Sequence, residues 1–491
     1  MSRVSTAVMP QAASGTRPEP ARRAGLRDFL VLFGGQVVSA IGSRLSTFAL
    51  GIWVLRTTGS TTDFALTYLA MDLPLLLVSP LAGVAADRLD RRRLMMACVS
   101  VGALAMFALA SLLALHQLAL WHVYVGVAVI SICQGFHSPT FAASIPLLVD
   151  EKQLPRVNGL VQTGSAIATI VGPLLAGVLV NTIALQGVLA VDGATFLVAL
   201  AGIALSHVPR PPKSAQPAAP GLGREAAAGW RYVRSREGLV GLLVVEALQN
   251  FIFSIAGVLI TPLLLSFASP ALVGLQFAIG GAGLLLGGLA LAAVGAPKRK
   301  VPAMLACMAL AGVMLAAHGL RPSFSLVTVA GFLMFASMPI GEALNVSLWQ
   351  TKVPSELQGR CFAIKQMLSN GLSPIGYALA GPLAEHVFEP LLAVHGPLAA
   401  WVGPAIGTGP GRGTGLLFIV LGSLMSVVPL AAFGAARIRR VDDLPDAFAL
   451  AAQGEATPAS CGHSPTPHPA DHTAAASTPT GARASSVAPL A

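Results

Sequence analysis

The hydrophobic residues of this chain fall into twelve long runs that are separated by polar gaps. Each run is long enough to cross the hydrocarbon core of a bilayer, which takes a helix of about 20 apolar residues. Lipid gives the backbone no hydrogen-bond partner, so helices are the expected spanning element. The predicted spans are Phe29–Leu55, Phe64–Ala86, Leu94–Leu115, Leu120–Phe141, Val157–Val180, Val188–Leu205, Leu239–Phe267, Ala271–Val294, Val301–His318, Phe324–Leu348, Phe362–Val387 and Gly415–Ala436.

Two groups of six spans stand on either side of a polar connector, and this order predicts two pseudo-symmetric halves. The predicted fold class is an all-α membrane protein with about twelve transmembrane helices in two six-helix bundles. The predicted parts are residues 1–28, a cytoplasmic tail; 29–206, the first bundle; 207–237, a cytoplasmic connector; 238–436, the second bundle; and 437–491, a second cytoplasmic tail. The composition of the tails predicts disorder.

The basic residues mark one side of the predicted membrane. With the N-terminus inside, the inside segments hold 26 of the 31 lysines and arginines, and the outside loops hold three. Basic residues concentrate in cytoplasmic loops, so we expect a multi-pass protein of the bacterial inner membrane with both termini in the cytoplasm. This placement accounts for the net charge of +10, and nucleic acid is not an expected partner. The five scattered cysteines predict neither a disulfide framework nor a metal site, and no cofactor is expected.

An acidic residue and a basic cluster join the second and third predicted spans. The segment contains Gly83, Asp87, Arg88, Arg91 and Arg92. An acid beside arginines at a cytoplasmic helix end can accept a helix N-terminus or an ion pair and so hold one conformation of a transporter. Alternatively, the arginines only anchor the topology.

Polar residues recur at helical spacing in four predicted spans. They are Gln36, Ser39 and Ser43 in the first span, Ser131, Gln134 and Ser138 in the fourth, Gln249 and Asn250 in the seventh, and Asn345 in the tenth. Polar groups inside a membrane face either a water-filled cavity or a neighbouring helix. Four such stripes favour a substrate path, and hydrogen bonds between helices are the alternative.

Three charged residues fall inside the spans of the first half. Arg44 and Asp72 are candidates for binding a proton or a substrate, and an Arg44–Asp72 pair that holds two spans together is the alternative. Asp192 lies near the outer end of the sixth span, where an acid is favourable at the start of a helix.

Glu246, Glu342 and Lys365 are candidate charged residues inside the spans of the second half. Glu246 and Glu342 are candidates for loading and releasing a proton, because partial desolvation stabilises the protonated form of a carboxyl group. Lys365 could instead pair with Glu342 near the cytoplasmic end, which would be a structural role.

Two motifs resemble those of a known family. The segment from Gly83 to Arg92 is similar to the loop motif of the major facilitator superfamily, although Asp90 stands where that family usually has glycine. The family's drug exporters carry an antiporter motif in the fifth helix, and its counterparts here are Gly159, Gly172, Pro173 and Gly177. Small residues and a proline at these positions would serve close helix packing and a bend.

Residues 48–53, 80–83, 192–196 and 357–360 resemble the macrolide-efflux and siderophore-exporter branch of that family. The resemblance implies a secondary transporter of the drug:proton antiporter type, which exports its substrate by alternating access. Many proton-coupled relatives have an arginine three residues before a Gln-Gly pair in the fourth helix. Ser131 occupies that place ahead of Gln134, so the resemblance supplies no residue for the proton step.

The predicted function is export of an amphipathic small molecule, such as a macrolide-like drug, a peptide metabolite or a siderophore. A proton gradient is the expected driving force, because no glycine-rich nucleotide-binding loop occurs in the sequence. A monomer is the expected form. A lysophospholipid or other lipid transporter is an alternative. A membrane-embedded enzyme is more remote, since the spans contain no histidine–carboxylate cluster at helical spacing. A non-transporting receptor would need a binding domain larger than any predicted outside loop.

Overall fold

The structure is a computed structural model that describes residues 25–149, 153–208 and 230–443. Within these ranges the regular secondary structure is helical. The helices are α1 (Leu26–Thr58), α2 (Thr61–Arg88), α3 (Arg91–Ala114), α4 (Leu120–Leu148), α5 (Leu154–Thr182), α6 (Ala184–Leu205), α7 (Glu237–Leu265), α8 (Pro270–Val294), α9 (Lys300–Leu320), α10 (Phe324–Lys352), α11 (Ser355–Asn370), α12 (Ser373–Pro382), α13 (Glu389–Leu391), α14 (Gly403–Ile406), α15 (Arg412–Gly434) and α16 (Ala436–Arg439). A π-helix, Leu383–Phe388, follows α12.

Eleven of the described helices are long and apolar enough to cross a membrane, and they match eleven of the twelve predicted spans. The remaining predicted span, Phe362–Val387, is divided between α11, α12 and the π-helix. Pro374 explains the break, because it has no N–H with which to bond the carbonyl of Asn370. The charged residues of α11, Lys365 among them, keep that helix below the apolarity of the others.

The two halves repeat one set of helix contacts. In the first half α1 packs on α5 and α6, α2 on α4, and α3 on α4 and α6. In the second half α7 packs on α11, α12 and α15, α8 on α10, and α9 on α10 and α15. Each contact of the first half has a counterpart in the second half between the spans that lie six places further along the chain. The prediction of an all-α fold with two pseudo-symmetric bundles is therefore confirmed.

The halves meet where α2 packs on α12 and where α5 packs on α8. We call the end of the molecule that carries the α1–α2, α5–α6 and α7–α8 connections the outer end, because the charge distribution predicts that it faces outside. The opposite end is the inner end. Tyr68 and Tyr377 approach each other across the halves with ring centroids 6.4 Å apart. Gly177 lies against the backbone of Pro270. Both contacts are toward the outer end.

Small residues set the distance between the most closely packed helices, as between α9 and α15. A side chain at Gly422 would overlap the backbone nitrogen of Ala316, and it would lie 2.6 Å from the carbonyl oxygen of Gly312. Because lipid provides no hydrophobic force between helices, this close backbone packing is a main source of their association.

We expect Gly422→Val to lower the melting temperature of the detergent-solubilised protein, because overpacking a helix contact costs roughly 1–3 kcal/mol. Thermal unfolding followed by fluorescence-detected gel filtration measures the effect. Gly434→Val is the matched control on the same helix, since no atom lies within 4 Å of the side chain that it adds. Equal melting temperatures for the two variants would contradict the packing argument.

Candidate functional site

A cavity of about 500 Å³ lies within the first half, near the middle of its spans, with walls from α1 to α6. The predicted stripes of the first and fourth spans both face it. The six residues are Gln36, Ser39, Ser43, Ser131, Gln134 and Ser138. Aromatic side chains, including Phe33, Phe141 and Phe196, complete the wall. The cavity therefore combines hydrogen-bonding groups with a large apolar surface.

Some polar groups of the wall have hydrogen-bond partners in the protein, and others have none among the described residues. The Ser131 hydroxyl donates to the carbonyl of Met71, so it also joins α4 to α2. Gln36 and His137 each have a buried Nε2 for which the described residues offer no hydrogen-bond partner. Buried polar atoms in proteins are nearly always hydrogen-bonded. These two nitrogens are therefore suited to a polar group of a molecule in the cavity.

Arg44 and Asp72 both line this cavity. Among the described side chains no ion pair within 4.0 Å joins them, so they do not hold α1 to α2 in this conformation. A charge of each sign thus faces the same cavity, where it can meet a charged group of a bound molecule.

A second group of charges lies in the second half, around Lys365. Its Nζ is 2.9 Å from Oε1 of Glu246 and 3.4 Å from Oε1 of Glu342. The Nδ2 of Asn345 donates to Oε2 of Glu246 at 2.9 Å. Lys365 and Glu246 are 4% and 10% exposed, whereas the Glu342 side chain is 58% exposed. One cation is therefore shared by a buried and an accessible carboxylate.

The polar stripes of the second half do not line the cavity, which corrects the prediction for Gln249, Asn250 and Asn345. Gln249 donates from Nε2 to the carbonyl of Met425 at 2.9 Å, which joins α7 to α15. Asn250 donates to the carbonyl of Ser369 at 3.1 Å, which joins α7 to α11. The Nδ2 of Asn345 donates to Glu246, which joins α10 to α7. The physical reason is that the amide hydrogens of these residues bond to neighbouring helices, although Oε1 of Gln249 and Oδ1 of Asn345 are buried without a hydrogen-bond partner among the described residues.

Asp192 is also placed differently from the prediction. It lies well inside α6, which begins at Ala184, and it is fully buried. An interaction with the start of the helix is therefore excluded, since that effect fades within the first turn. Its carboxylate accepts a hydrogen bond from the hydroxyl of Ser46 on α1.

The loop motif places its arginines on helix ends of the first half. Arg91 donates to the carbonyl of Ala143 near the end of α4 at 2.6 Å. Arg92 donates to the carbonyls of Ile203 and Ala204 at the end of α6. Cations are favourable at such carboxyl ends. Asp90 caps α3 by accepting from the N–H of Arg93 at 3.1 Å, a role that glycine could not fill. The side chains of Gly83, Asp87 and Arg88 lie outside the described residues.

The antiporter-like motif on α5 contacts both halves. Gly172 lies against Arg44 and the backbone of Ile41 on α1. Across the halves, the carbonyl of Pro173 lies against Gly274, and Gly177 lies against Pro270. Gly159 has no such role, because no atom lies within 4 Å of the position of its missing side chain, and this corrects the packing expectation there.

Sequence reasoning missed an aromatic cavity of about 260 Å³ between the halves. Its wall includes Tyr68 of the first half together with Phe253, Phe277, Phe335 and Tyr377 of the second. Aromatic residues make up only 6% of the chain and are spread over many helices. The sequence therefore could not show that these five rings meet at one place, which depends on the arrangement of the helices.

Sequence reasoning also missed Glu385, which joins the halves at the outer end. Its carboxylate accepts from the N–H groups of Thr61 and Thr62 and from the hydroxyls of Thr62 and Ser60. The hydroxyl of Thr62 is 2.5 Å from Oε2, and its N–H is 3.1 Å from Oε1. An acid of the second half thus caps the N-terminus of α2 in the first half, which is a favourable place for a negative charge.

We expect Glu385→Ala to open the outer end, because it removes every acceptor of this cap. In a background whose native cysteines are replaced by serine, a cysteine at Tyr377 should react faster with a membrane-impermeant maleimide from outside. Asp63→Asn is the control, since Asp63 is in the same first turn of α2 and is contacted by Tyr124 of its own half. Equal labelling rates in the Glu385→Ala variant and its parent would count against this role of the cap.

Comparison with known proteins adds to this geometry. The model of the Major Facilitator Superfamily matches residues 32–377. Macrolide efflux protein A of Streptococcus pyogenes is 28% identical over 363 residues, which cover 73% of this chain and 90% of that protein. The multidrug efflux pump Tap of Mycolicibacterium fortuitum is 26% identical over 72% of this chain and 88% of that protein. The crystal structure of the nucleoside transporter NupG has a TM-score of 0.61 at 14% identity, covering 83% of this chain and 99% of that one, which supports the fold alone.

Proposed function

The chain belongs to the Major Facilitator Superfamily, and from this premise we propose that it exports an amphipathic small molecule of the macrolide or multidrug type by alternating access. It is a multi-pass membrane transporter with drug-efflux relatives, not an enzyme. The cargo, the direction of transport and the coupling to protons belong to the proposal.

The cavity of the first half carries this proposal. Its volume of about 500 Å³ is in the range of sites that hold drug-sized ligands. Hydroxyl and amide groups from α1 and α4 share the wall with aromatic side chains, and Arg44 and Asp72 add one charge of each sign. A molecule with a large apolar body and a few polar groups fits this lining better than a sugar or an ion would. Such a molecule is what we mean by an amphipathic cargo.

The contacts between the halves support export. The cavity lies near the middle of the spans, and the contacts of Tyr68 with Tyr377 and of Glu385 with α2 lie on its outer side. If the inner end faces the cytoplasm of a bacterial cell, as 26 basic residues against three predict, the cavity loads from that side of the inner membrane. Rocking of the halves would then release cargo outside. One chain supplies both halves and a complete cavity, so we take the monomer as the working form.

We expect cells that express the protein to accumulate less erythromycin and to tolerate more of it than cells without it. Gln134→Leu should raise the KM of erythromycin transport by roughly 2- to 10-fold, because losing one hydrogen bond costs about 0.5–1.5 kcal/mol. Thr163→Ala is the matched control, since its exposed hydroxyl bonds the carbonyl of Gly159 within α5 and the residue is outside the cavity wall. Equal accumulation in both kinds of cell would contradict the proposal for macrolides.

Proton coupling is the second part of the proposal, and the shared cation Lys365 supports it. If Glu246 and Glu342 are both ionised, this group carries one negative charge in excess, and a proton on either carboxylate removes the excess. The proton gradient would then be coupled to movement by the balance of charge around Lys365.

We expect Glu246→Gln and Glu342→Gln, tested singly, to reduce erythromycin uptake driven by a pH gradient in inverted membrane vesicles. The Glu246 variant should be affected more, because its carboxylate is the closer and more buried partner of Lys365. Glu389→Gln is the control acid, since Glu389 accepts from Thr414 within the second half, away from Lys365. Unchanged pH-driven uptake in both variants would remove these residues from the coupling step.

A further inference from the structure

Asp192 is a fully buried acid that the transport proposal has not used. It belongs to α6, which packs on α1, α3 and α5. Its Oδ2 accepts from the hydroxyl of Ser46, and its Oδ1 lies 3.1 Å from the hydroxyl of Thr195. Both side-chain partners are hydroxyl groups.

The described residues place no lysine, arginine or histidine within 4.0 Å of this carboxylate. The described titratable and charged groups on the helices packed against α6 are Arg27, Asp28, Arg44 and Arg56 on α1, Arg91, Arg92, Arg93 and Cys98 on α3, and Arg156 on α5. Arg92 is committed to the carbonyls at the end of α6, far along the helix from Asp192. A carboxylate buried without a cation is costly, and a bound proton removes that cost.

The hydroxyl of Ser46 can serve both protonation states. Besides Oδ2 of Asp192, it has a second acceptor, the carbonyl of Ser43, at 3.3 Å. When the carboxylate is ionised, Ser46 donates to it. When the carboxyl group is protonated, that group can donate to Ser46, which then donates to the Ser43 carbonyl. Every polar group keeps a partner in both states, so the proton can bind and leave without breaking the contact between α1 and α6.

Ser43 and Ser46 both belong to the lining of the cavity, whereas Asp192 does not. Ser43 is half-buried, and Ser46 is fully buried within the wall. Gly42 allows this close approach, because a side chain there would lie 2.6 Å from Oδ1 of Asp192. Ser46 therefore lies between a buried acid and the cavity.

We propose that Asp192 is a proton-binding site of the transporter and exchanges its proton with the cavity through Ser46. The proposal rests on the proposed proton-coupled export and adds to it a site in the half that holds the cavity. Cargo beside Ser43 and Ser46 in the wall changes the surroundings of the hydroxyl that donates to Asp192. Cargo and proton are thereby linked at one place in the wall.

The competing explanation is that Asp192 only fastens α6 to α1. Asp192→Asn separates the two, because the amide keeps the shape and the hydrogen bonds to hydroxyls but cannot bind a proton. Asp28→Asn is the matched control, since Asp28 lies on α1 near the inner end with its side chain 26% exposed.

Infrared difference spectroscopy of the protein in lipid membranes, without cargo, measures the proton directly. We expect a C=O stretch of a protonated carboxyl group to vanish as the pH is raised, and this component to be missing from Asp192→Asn and kept in Asp28→Asn. Glu246→Gln and Glu342→Gln identify any component that those two acids contribute. Ser46→Ala should shift the Asp192 component and slow its exchange in D₂O. A spectrum of Asp192→Asn equal to that of the wild type would overturn the proton site, and an unchanged exchange rate in Ser46→Ala would overturn the route.

Transport of erythromycin in proteoliposomes provides the second test. Asp192→Asn should lose accumulation driven by a pH gradient and keep counterflow, in which labelled and unlabelled erythromycin exchange without net proton movement. Loss of both activities would make Asp192 a structural residue, and full pH-driven accumulation would refute its part in coupling. If the wild-type protein moves no erythromycin, the proposed cargo is wrong, while the infrared result still decides whether Asp192 binds a proton.

Discussion

The absence of water from the bilayer core is the constraint on which the rest of this structure depends. A polar group inside a span must bond to its own helix, bond to a neighbouring helix or face a cavity. The two halves meet this requirement in different ways. In the second half Gln249 bonds to α15 and Lys365 collects Glu246 and Glu342, so its polar groups are used in packing. In the first half the equivalent stripes face open space.

This difference divides the pseudo-symmetric bundles. The cavity lies in the bundle formed by α1 to α6, and the ion pairs around Lys365 lie in the other bundle. A cation shared by two acids would respond to the loss or gain of one proton. A cavity wall of hydroxyl, amide and aromatic groups would suit an apolar molecule with a few polar groups. One repeated helix arrangement thus carries the cavity in one half and the charge pairs in the other.

The sequence was sufficient for what depends on hydropathy and periodicity. It predicted the fold class, eleven spans as continuous helices, and the stripes on α1 and α4 that line the cavity. It could not show which neighbour each face of a helix meets. Gln249 has the same spacing as a cavity residue, but α15 covers its face. Glu385 and Thr62 lie more than 300 residues apart, so their contact exists only in the folded chain. Asp192 was misplaced because α6 begins earlier than its apolar run suggested.

Alternating access requires some helix contacts to break while others persist, and the chemistry of the contacts separates the two kinds. Between the halves, at the outer end, the contacts are the helix cap of Glu385, the two tyrosine rings and the glycines of α5 and α8. A cap can exchange its carboxylate for water, so it can be broken and made again. Within the first half, Asp192 and Ser46 are both fully buried and are bonded to each other. We therefore expect the contact between α1 and α6 to survive each cycle of the proposed transport, so that a proton held there would travel with the half that holds the cavity.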